Sequence, residues 1–285
     1  MPELPEVETT ARELERRVLG RKVVEVVLSG ARLRLARPVD EAGVRQAALG
    51  RRITRVWRRA KYLVLELEDH ALLVHLGMSG RLLVHPAASE RPPHTHVVLT
   101  LAGRPAEEVR FIDPRRFGLV RPYAVGELGD SEELRELGPE PLSEALSAAG
   151  FWESLRATRG ASIKAVLLDQ RQIAGVGNIY ACEALFLAGV HPALEARRLS
   201  RRGAEGLLEA VRVVLRRGIE NRGTTLRDYA APEGQGANQQ ALEVFAREGE
   251  ACLRCGQPVR RIVQAGRSTY FCPGCQTRAV RGRAR

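Results

Sequence analysis

The sequence predicts an α+β chain of more than one domain: an N-terminal antiparallel β-sandwich with a flanking helix, a helical domain, and a small hairpin built on paired cysteines. Three observations predict it. Short strand-like segments follow one another from residue 22 to residue 125, with turn residues between them. Beyond residue 141 the apolar spacing becomes helical. The last stretch of chain carries two Cys-x-x-Cys pairs.

The first helix begins at Pro5, which suits a first-turn position; Glu6 and Glu8 complement the positive end of the dipole, and Gly20 stops it. Val7, Ala11, Leu14 and Val18 form one apolar stripe along it. Strands are expected at Lys22–Leu28, Arg52–Trp57, Tyr62–Glu68, Ala71–Leu76, Arg81–His85, His96–Leu101, Glu108–Ile112 and Gly118–Val125. A Gly-, Pro-, Glu- and Asp-rich stretch, Gly126–Pro141, reads as a linker. Helical segments follow at Ser143–Gly150, Phe151–Thr158, Ser162–Asp169, Ile179–Leu187 and Gly203–Asn221. Residues 230–241 lack periodicity and read as a mobile loop. The domains are therefore expected at 1–125, 142–229 and 249–278, with 126–141 as the linker.

At 285 residues and 44% hydrophobic, the chain can bury ordinary cores. Its net charge is +11, and of its 45 basic residues only Lys22, Lys61 and Lys164 are lysines. The forked guanidinium matches phosphate oxygens two at a time, and each neutralised phosphate releases counterions, so a polyanionic partner is expected. The alternative reading of the ratio is a genome-wide preference for Arg over Lys, which does not account for the net charge. Where Arg replaced Lys freely, the surviving Lys61 and Lys164 mark positions that need a compact ammonium. The segment Met1–Glu8 is acidic and has no apolar h-region, and no apolar run approaches the ~20 residues of a membrane span, so a cytoplasmic protein is expected.

Cys252-x2-Cys255 and Cys272-x2-Cys275 are separated by 16 residues, within the spacing of a zinc site. Four thiolates leave no open coordination position, so one structural Zn2+ is expected rather than a catalytic one. Val259–Gln264 and Ser268–Phe271 read as two strands joined at Ala265-Gly266, with Arg267 near the tip. Cys182 has no sequence partner and reads as a buried helix thiol. Such a hairpin on a basic chain points to nucleic acid without pointing to an enzyme.

Chemistry enters at the other end. Removal of Met1 would expose the secondary amine of Pro2, flanked by Glu3 and Glu6. An amine of this kind attacks a sugar C1′ and collapses to an iminium, and a neighbouring carboxyl supplies the proton that opens the ring. The same residues also serve simply to start a helix.

The chain contains, in order, Pro-Glu-Leu-Pro-Glu-Val-Glu at 2–8, Arg-Arg-Ala-Lys-Tyr-Leu at 58–63, His-Leu-Gly-Met-Ser-Gly at 75–80 and Asp-Pro-Arg-Arg-Phe-Gly at 113–118. Gly-Val-Gly-Asn-Ile-Tyr-Ala at 175–181 and Arg-Gly-Thr-Thr-Leu at 222–226 precede the cysteine pairs. In this order the motifs resemble those of the bacterial formamidopyrimidine-DNA glycosylases, which remove 8-oxoguanine and ring-opened purines from duplex DNA and cut the strand. The resemblance implies that the helical domain is a helix-two-turn-helix module and that the loop at 230–241 covers the flipped base. It implies Pro2 as the Schiff-base nucleophile, Glu3 as the acid on the ring oxygen, Glu6 as an orienting carboxylate and Lys61 as the lysine on the lesion phosphates. Met78, Arg115 and Phe117 match the residues that fill the gap left by the extruded base. His75, Asn178 and Arg267 match phosphate contacts.

His94, Arg116 and Lys164 complete the expected DNA-binding set, and His96 is read with His94 as a surface or phosphate contact. The alternatives for these residues are sandwich core for Met78 and Phe117, a solvated strand end for Arg115 and Arg116, and a plain interhelix turn for Asn178. Two departures from the family pattern stand out: Ala60 where Gly is usual, and Ala237-Asn238-Gln239 where an aromatic residue often precedes Gln. The expected activity is that of a bifunctional glycosylase and AP lyase acting as a monomer on damaged duplex DNA. An oxidised-pyrimidine glycosylase of the endonuclease VIII type and a non-catalytic damage-binding protein are the alternatives; Leu4 and residues 113–118 favour purines.

Overall fold

The computed structural model describes residues 1–33, 37–224 and 236–277. They fall into two compact units, Met1–Arg135 with Ile219–Gln239, and Glu136–Gly218 with Gln240–Arg285.

The first unit opens with α1 (Leu4–Val18), whose stripe of Val7, Ala11, Leu14 and Val18 is buried as its spacing demands. Then come β1 (Val23–Leu28), the two-residue strands β2 (Arg32–Leu33) and β3 (Arg37–Pro38), and α2 (Glu41–Ala48). Helix α2 is not among the expected elements; it is short, contains Gly43, and starts because the Asp40 carboxylate accepts the Gly43 N–H at 2.9 Å. The main strands are β4 (Ile53–Arg59), β5 (Tyr62–Leu67), β6 (His70–His75), β7 (Arg81–Pro86), β8 (Thr95–Leu101), β9 (Glu107–Ile112) and β10 (Leu119–Ala124). They form two four-stranded antiparallel sheets, ordered β1-β8-β9-β7 and β10-β6-β5-β4. The α1 stripe shares one apolar core with inward residues of both sheets, among them Leu65, Val74, Leu99, Val109 and Phe111.

Register decides where the loops emerge. Tyr62, His75 and Leu119 lie opposite one another in one sheet, and Arg81, Ile112 and Thr95 do so in the other. The β4–β5 turn and the loops 76–80 and 113–118 therefore leave their strands at these aligned positions.

The second unit holds α3 (Ala148–Ala157), α4 (Ile163–Leu168), α5 (Asn178–Leu187) and α6 (Arg201–Glu220) up to Gly218. The separate helix expected at Ser143–Gly150 does not form. The chain turns after Pro141, and α3 starts at Ala148 because the Ser147 hydroxyl accepts the Gly150 N–H at 3.0 Å. The hairpin of β11 (Arg260–Gln264) and β12 (Arg267–Phe271) turns at Ala265 and Gly266, with φ of 47° and 72°. Two successive left-handed residues make the tight turn whose twist matches antiparallel strands.

Glu183 on α5 ties the helix to the segment 243–245, which precedes the cysteine pairs. Its Oε1 accepts N–H bonds from Val244 at 3.0 Å and Phe245 at 2.8 Å, and its Oε2 accepts one from Glu243 at 2.8 Å. Around it Cys182, Phe186, Val244, Cys252, Val259 and Cys272 form one buried cluster. Of the expected mobile loop, residues 230–235 lie outside the described residues. From Gly236 the chain is placed, and Asn238 is buried, so this part of it is not free.

Candidate active site and nucleic-acid interface

Pro2, Glu3 and Glu6 are all buried, while Met1 is exposed. The start of α1 fixes them. The Glu3 N–H donates to Glu6 Oε2 at 2.8 Å, and the reciprocal bond from the Glu6 amide to the Glu3 carboxylate completes a capping box. The other Glu6 oxygen, Oε1, accepts the Thr224 N–H at 2.8 Å. Gly223 has φ of 82°, and a Cβ there would lie 3.0 Å from Glu6 Cγ, so the left-handed turn and the tight contact both favour glycine. Asn238 then donates through Nδ2 to Thr224 Oγ1 at 2.7 Å. Thr224 and Asn238 were not among the expected site residues; Thr224 lay inside the quoted 222–226 motif.

Lys61 is buried in the two-residue β4–β5 turn, beside Ala60 with φ of 52°. Ala60 thus takes the left-handed conformation that explains the glycine usual at this position. The turn is tied to α1 through Arg58, whose Nε donates to Glu8 Oε2 at 2.9 Å and whose Nη1 donates to the Ala60 carbonyl at 3.1 Å. Burial works to raise the Glu8 carboxyl, but the Arg58 and Arg12 guanidiniums outweigh it and hold the group below the usual range. His75, opposite Tyr62 with ring centroids 4.9 Å apart, is half-buried, and its Nδ1 accepts the Gly77 N–H at 3.0 Å.

The two loops beside these residues carry the expected gap-filling side chains. Met78 is half-buried, and Arg115, Arg116 and Phe117 are exposed. Phe117 is 45% exposed, so it is not sandwich core, and the Arg115 guanidinium sits 5.1 Å from its ring centroid. Beneath them Asp113 is fully buried. Its Oδ1 accepts from Ser79 Oγ at 2.8 Å and from the Arg115 N–H at 3.3 Å, and its Oδ2 accepts from the Gly118 N–H at 2.7 Å. His94 is exposed, but His96 is not the surface or phosphate contact expected. It is buried, with Nε2 3.0 Å from the Asp113 carbonyl and Nδ1 3.0 Å from Ser29 Oγ. Ser79 and Asp113 both stand inside quoted motifs, but the sequence does not single them out.

In the second unit the four cysteine Sγ atoms lie within 4.8 Å of one another. Burial works to raise the Cys252 thiol, yet the N–H groups of Arg254 and Cys255 bring it down to about 7. Burial first, and then the neighbouring sulfurs, push Cys275 up to about 12. A divalent cation resolves that conflict by holding all four as thiolates, and the donor set fits zinc.

Arg267 is exposed at the hairpin tip. Next to it, the Ser268 carbonyl accepts from Asn178 Nδ2 at 2.9 Å, which ties the start of α5 to β12. The turn before α5 is held by Gln170, whose Nε2 donates to the Val176 carbonyl at 2.9 Å and whose Oε1 accepts the Gly175 N–H at 2.9 Å. Lys164 does not present itself to DNA. It is 1% exposed, and its ammonium donates to Cys182 Sγ and Thr269 Oγ1, each at 3.1 Å. Cys182 accordingly has a partner that its sequence position did not reveal.

Comparison with known proteins covers nearly all of the chain. Residues 1–120 match the family model of the formamidopyrimidine-DNA glycosylase N-terminal domain, 137–230 that of the formamidopyrimidine-DNA glycosylase H2TH domain, and 249–278 that of the zinc finger found in FPG and IleRS. The formamidopyrimidine-DNA glycosylase of Thioalkalivibrio sulfidiphilus is 46% identical over 278 residues, which is 97% of this chain and 100% of that protein. The crystal structure of MutM (Fpg) from Thermus thermophilus superposes with a TM-score of 0.84 at 45% identity, covering 96% of this chain and 98% of the other. A Lactococcus lactis Fpg variant in complex with a Fapy-dG-containing DNA gives 0.89 at 34% identity, covering 96% and 99%.

Proposed function

The chain belongs to the formamidopyrimidine-DNA glycosylase family and is a base-excision repair DNA glycosylase and AP lyase; from that premise we propose that Pro2 is its nucleophile and oxidised purines its substrates. Once Met1 is removed, the Pro2 nitrogen attacks C1′ of the extruded nucleotide, and the glycosidic bond breaks with its electron pair passing to the base. Glu3 protonates the ring oxygen, the sugar opens, and an iminium joins C1′ to Pro2. The iminium acidifies the C2′ proton. Successive β- and δ-elimination expel the 3′ and then the 5′ phosphate. Glu6 orients the site, Lys61 and His75 hold lesion phosphates, and Arg267 and Asn178 hold phosphates from the second unit. Met78, Arg115 and Phe117 occupy the gap left by the base, offsetting an unstacking cost of a few kcal/mol.

The observation that carries this reading is the buried Pro2-Glu3-Glu6 cluster, with Glu6 bonded to both Glu3 and Thr224. A helix start alone does not require its acidic cap to be buried beneath another backbone segment. The zinc ion held by the four cysteines is structural. The working form is a cytoplasmic monomer on duplex DNA, the monomer being checked by light scattering with and without DNA.

Borohydride treatment of the enzyme on an 8-oxoguanine duplex tests the chemistry. The expected result is a covalent adduct on the N-terminal peptide lacking Met1, absent when an N-terminal tag converts the amine to an amide. Glu3→Gln should slow excision whatever the duplex context. An adduct on Lys61 or Lys164 would falsify the nucleophile assignment, and a clear preference for thymine glycol over 8-oxoguanine would refute the purine assignment alone.

A further inference from the structure

The three proposed gap-filling side chains come from two loops that are distant in sequence, 76–80 and 113–118. We propose that Asp113 and Ser79 are positioning residues that lock these loops into one preorganised insertion element. The proposal rests on the gap-filling reading of Met78, Arg115 and Phe117.

Each loop is short and turns sharply. Gly77 has φ of 63° and Arg116 φ of 57°. Gly80 N–H donates back to the Leu76 carbonyl at 2.8 Å, closing the first loop, and the Arg116 N–H reaches the Asp113 carbonyl at 3.3 Å in the second. Internal bonds shape each loop but do not relate one to the other. That relation comes from the Asp113 carboxylate. It sits under its own loop, taking the N–H groups of Arg115 and Gly118, which flank Arg116 and Phe117. It then takes the Ser79 hydroxyl, from the residue next to Met78, across 34 positions of sequence. His96 clamps the Asp113 carbonyl from β8, and the Asp113 N–H donates to the His94 carbonyl at 3.0 Å, so the bridge is fixed to the sheet as well.

The backbones themselves touch. A Cβ on Gly77 would lie 2.5 Å from the Phe117 carbonyl carbon, and one on Gly118 would lie 2.9 Å from the His75 carbonyl oxygen. No side chain fits between the loops, and a displacement of one is transmitted to the other. A buried carboxylate held by two backbone N–H groups and a hydroxyl is costly to leave half satisfied, so the arrangement has one preferred geometry. A rigid inserting element has its conformational entropy removed during folding rather than at the DNA.

The test compares a paired 8-oxoguanine duplex with a preformed abasic site under single-turnover conditions, using zinc-loaded protein. Ser79→Ala should lower excision of the paired lesion about tenfold or more and leave abasic-site cleavage within about twofold, as expected for loss of a hydrogen bond to a charged group. Ser79→Thr, which keeps the hydroxyl, should recover most of the loss. Adding Phe117→Ala to Ser79→Ala should cost less than the two losses combined, because the loops act as a unit. Wild-type excision by Ser79→Ala, in a background where Phe117→Ala is impaired, overturns the linkage and leaves the gap-filling reading standing. Wild-type excision by Phe117→Ala removes that reading, and the linkage with it. Equal losses on both substrates overturn the positioning role in favour of a general structural one. Asp113→Asn should show the same selectivity with a larger loss; if it does not fold, Ser79→Ala alone decides.

Discussion

Replacing Glu183 should separate the zinc module from the helices that support it. Glu183 is 4% exposed, and its carboxylate accepts three consecutive backbone N–H groups, of Glu243, Val244 and Phe245. Glu183→Ala leaves all three without an acceptor. Val244 is buried and its neighbours are half-buried, so water reaches some of these groups and not others. At about 1–3 kcal/mol for a buried orphan and less for a hydrated one, the expected loss is about 3 kcal/mol. Glu183→Gln keeps Oε1 for Val244 and Phe245 and turns an N–H toward Glu243, so about 1 kcal/mol should be lost. Urea unfolding of the zinc-loaded protein, followed by fluorescence and by zinc release, reads both.

The pH dependence supplies a sign. Burial pushes the Glu183 carboxyl above its ordinary value of 4.5, although the three N–H groups pull it down. A raised carboxyl binds a proton more tightly in the folded state. Its contribution is therefore complete below the ordinary value and is lost as pH rises through the folded one. The difference between wild type and Glu183→Gln should narrow with rising pH across that window. Equal losses for Ala and Gln, or a difference that widens with pH, would refute the account of this carboxylate.

The surface and metal predictions follow from the same unit. Arg267→Ala should keep zinc and reduce the slope of log affinity against log salt by about one, measured by anisotropy on duplex DNA. Lys164→Met should leave that slope unchanged, because the ammonium is enclosed; a drop of about one would show that it reaches a phosphate. Cys255→Ser should lose zinc and DNA binding together while the sandwich remains folded, checked by zinc analysis and by the near-ultraviolet spectrum of Trp57.

The strands of the sandwich were legible almost to the residue because alternation and turn residues are local signals. So was the cysteine set, whose spacing is itself the observation. Helix α2 was hidden by its brevity and its glycine, and the false helix at Ser143–Gly150 came from reading apolar spacing across a serine that caps the real one. The failures at Lys164 and His96 share a cause. Each is a polar residue whose partner lies far along the chain, Thr269 in one case and Asp113 in the other, and polarity in sequence reads as exposure. Ser79 and Asp113 were visible as letters in two motifs, but a bond across 34 positions is a property of the folded sheet register.

The close approach of Gly77 to Phe117 bears on how such enzymes are recombined. With no room for even a methyl group between them, the two loops form a single cassette although the chain writes them separately. A chimaera that imports the 113–118 segment of a relative while keeping its own 76–80 segment brings together two surfaces shaped on different partners. Transfer of this insertion element between relatives is therefore a two-segment graft, with the strands between them left in place.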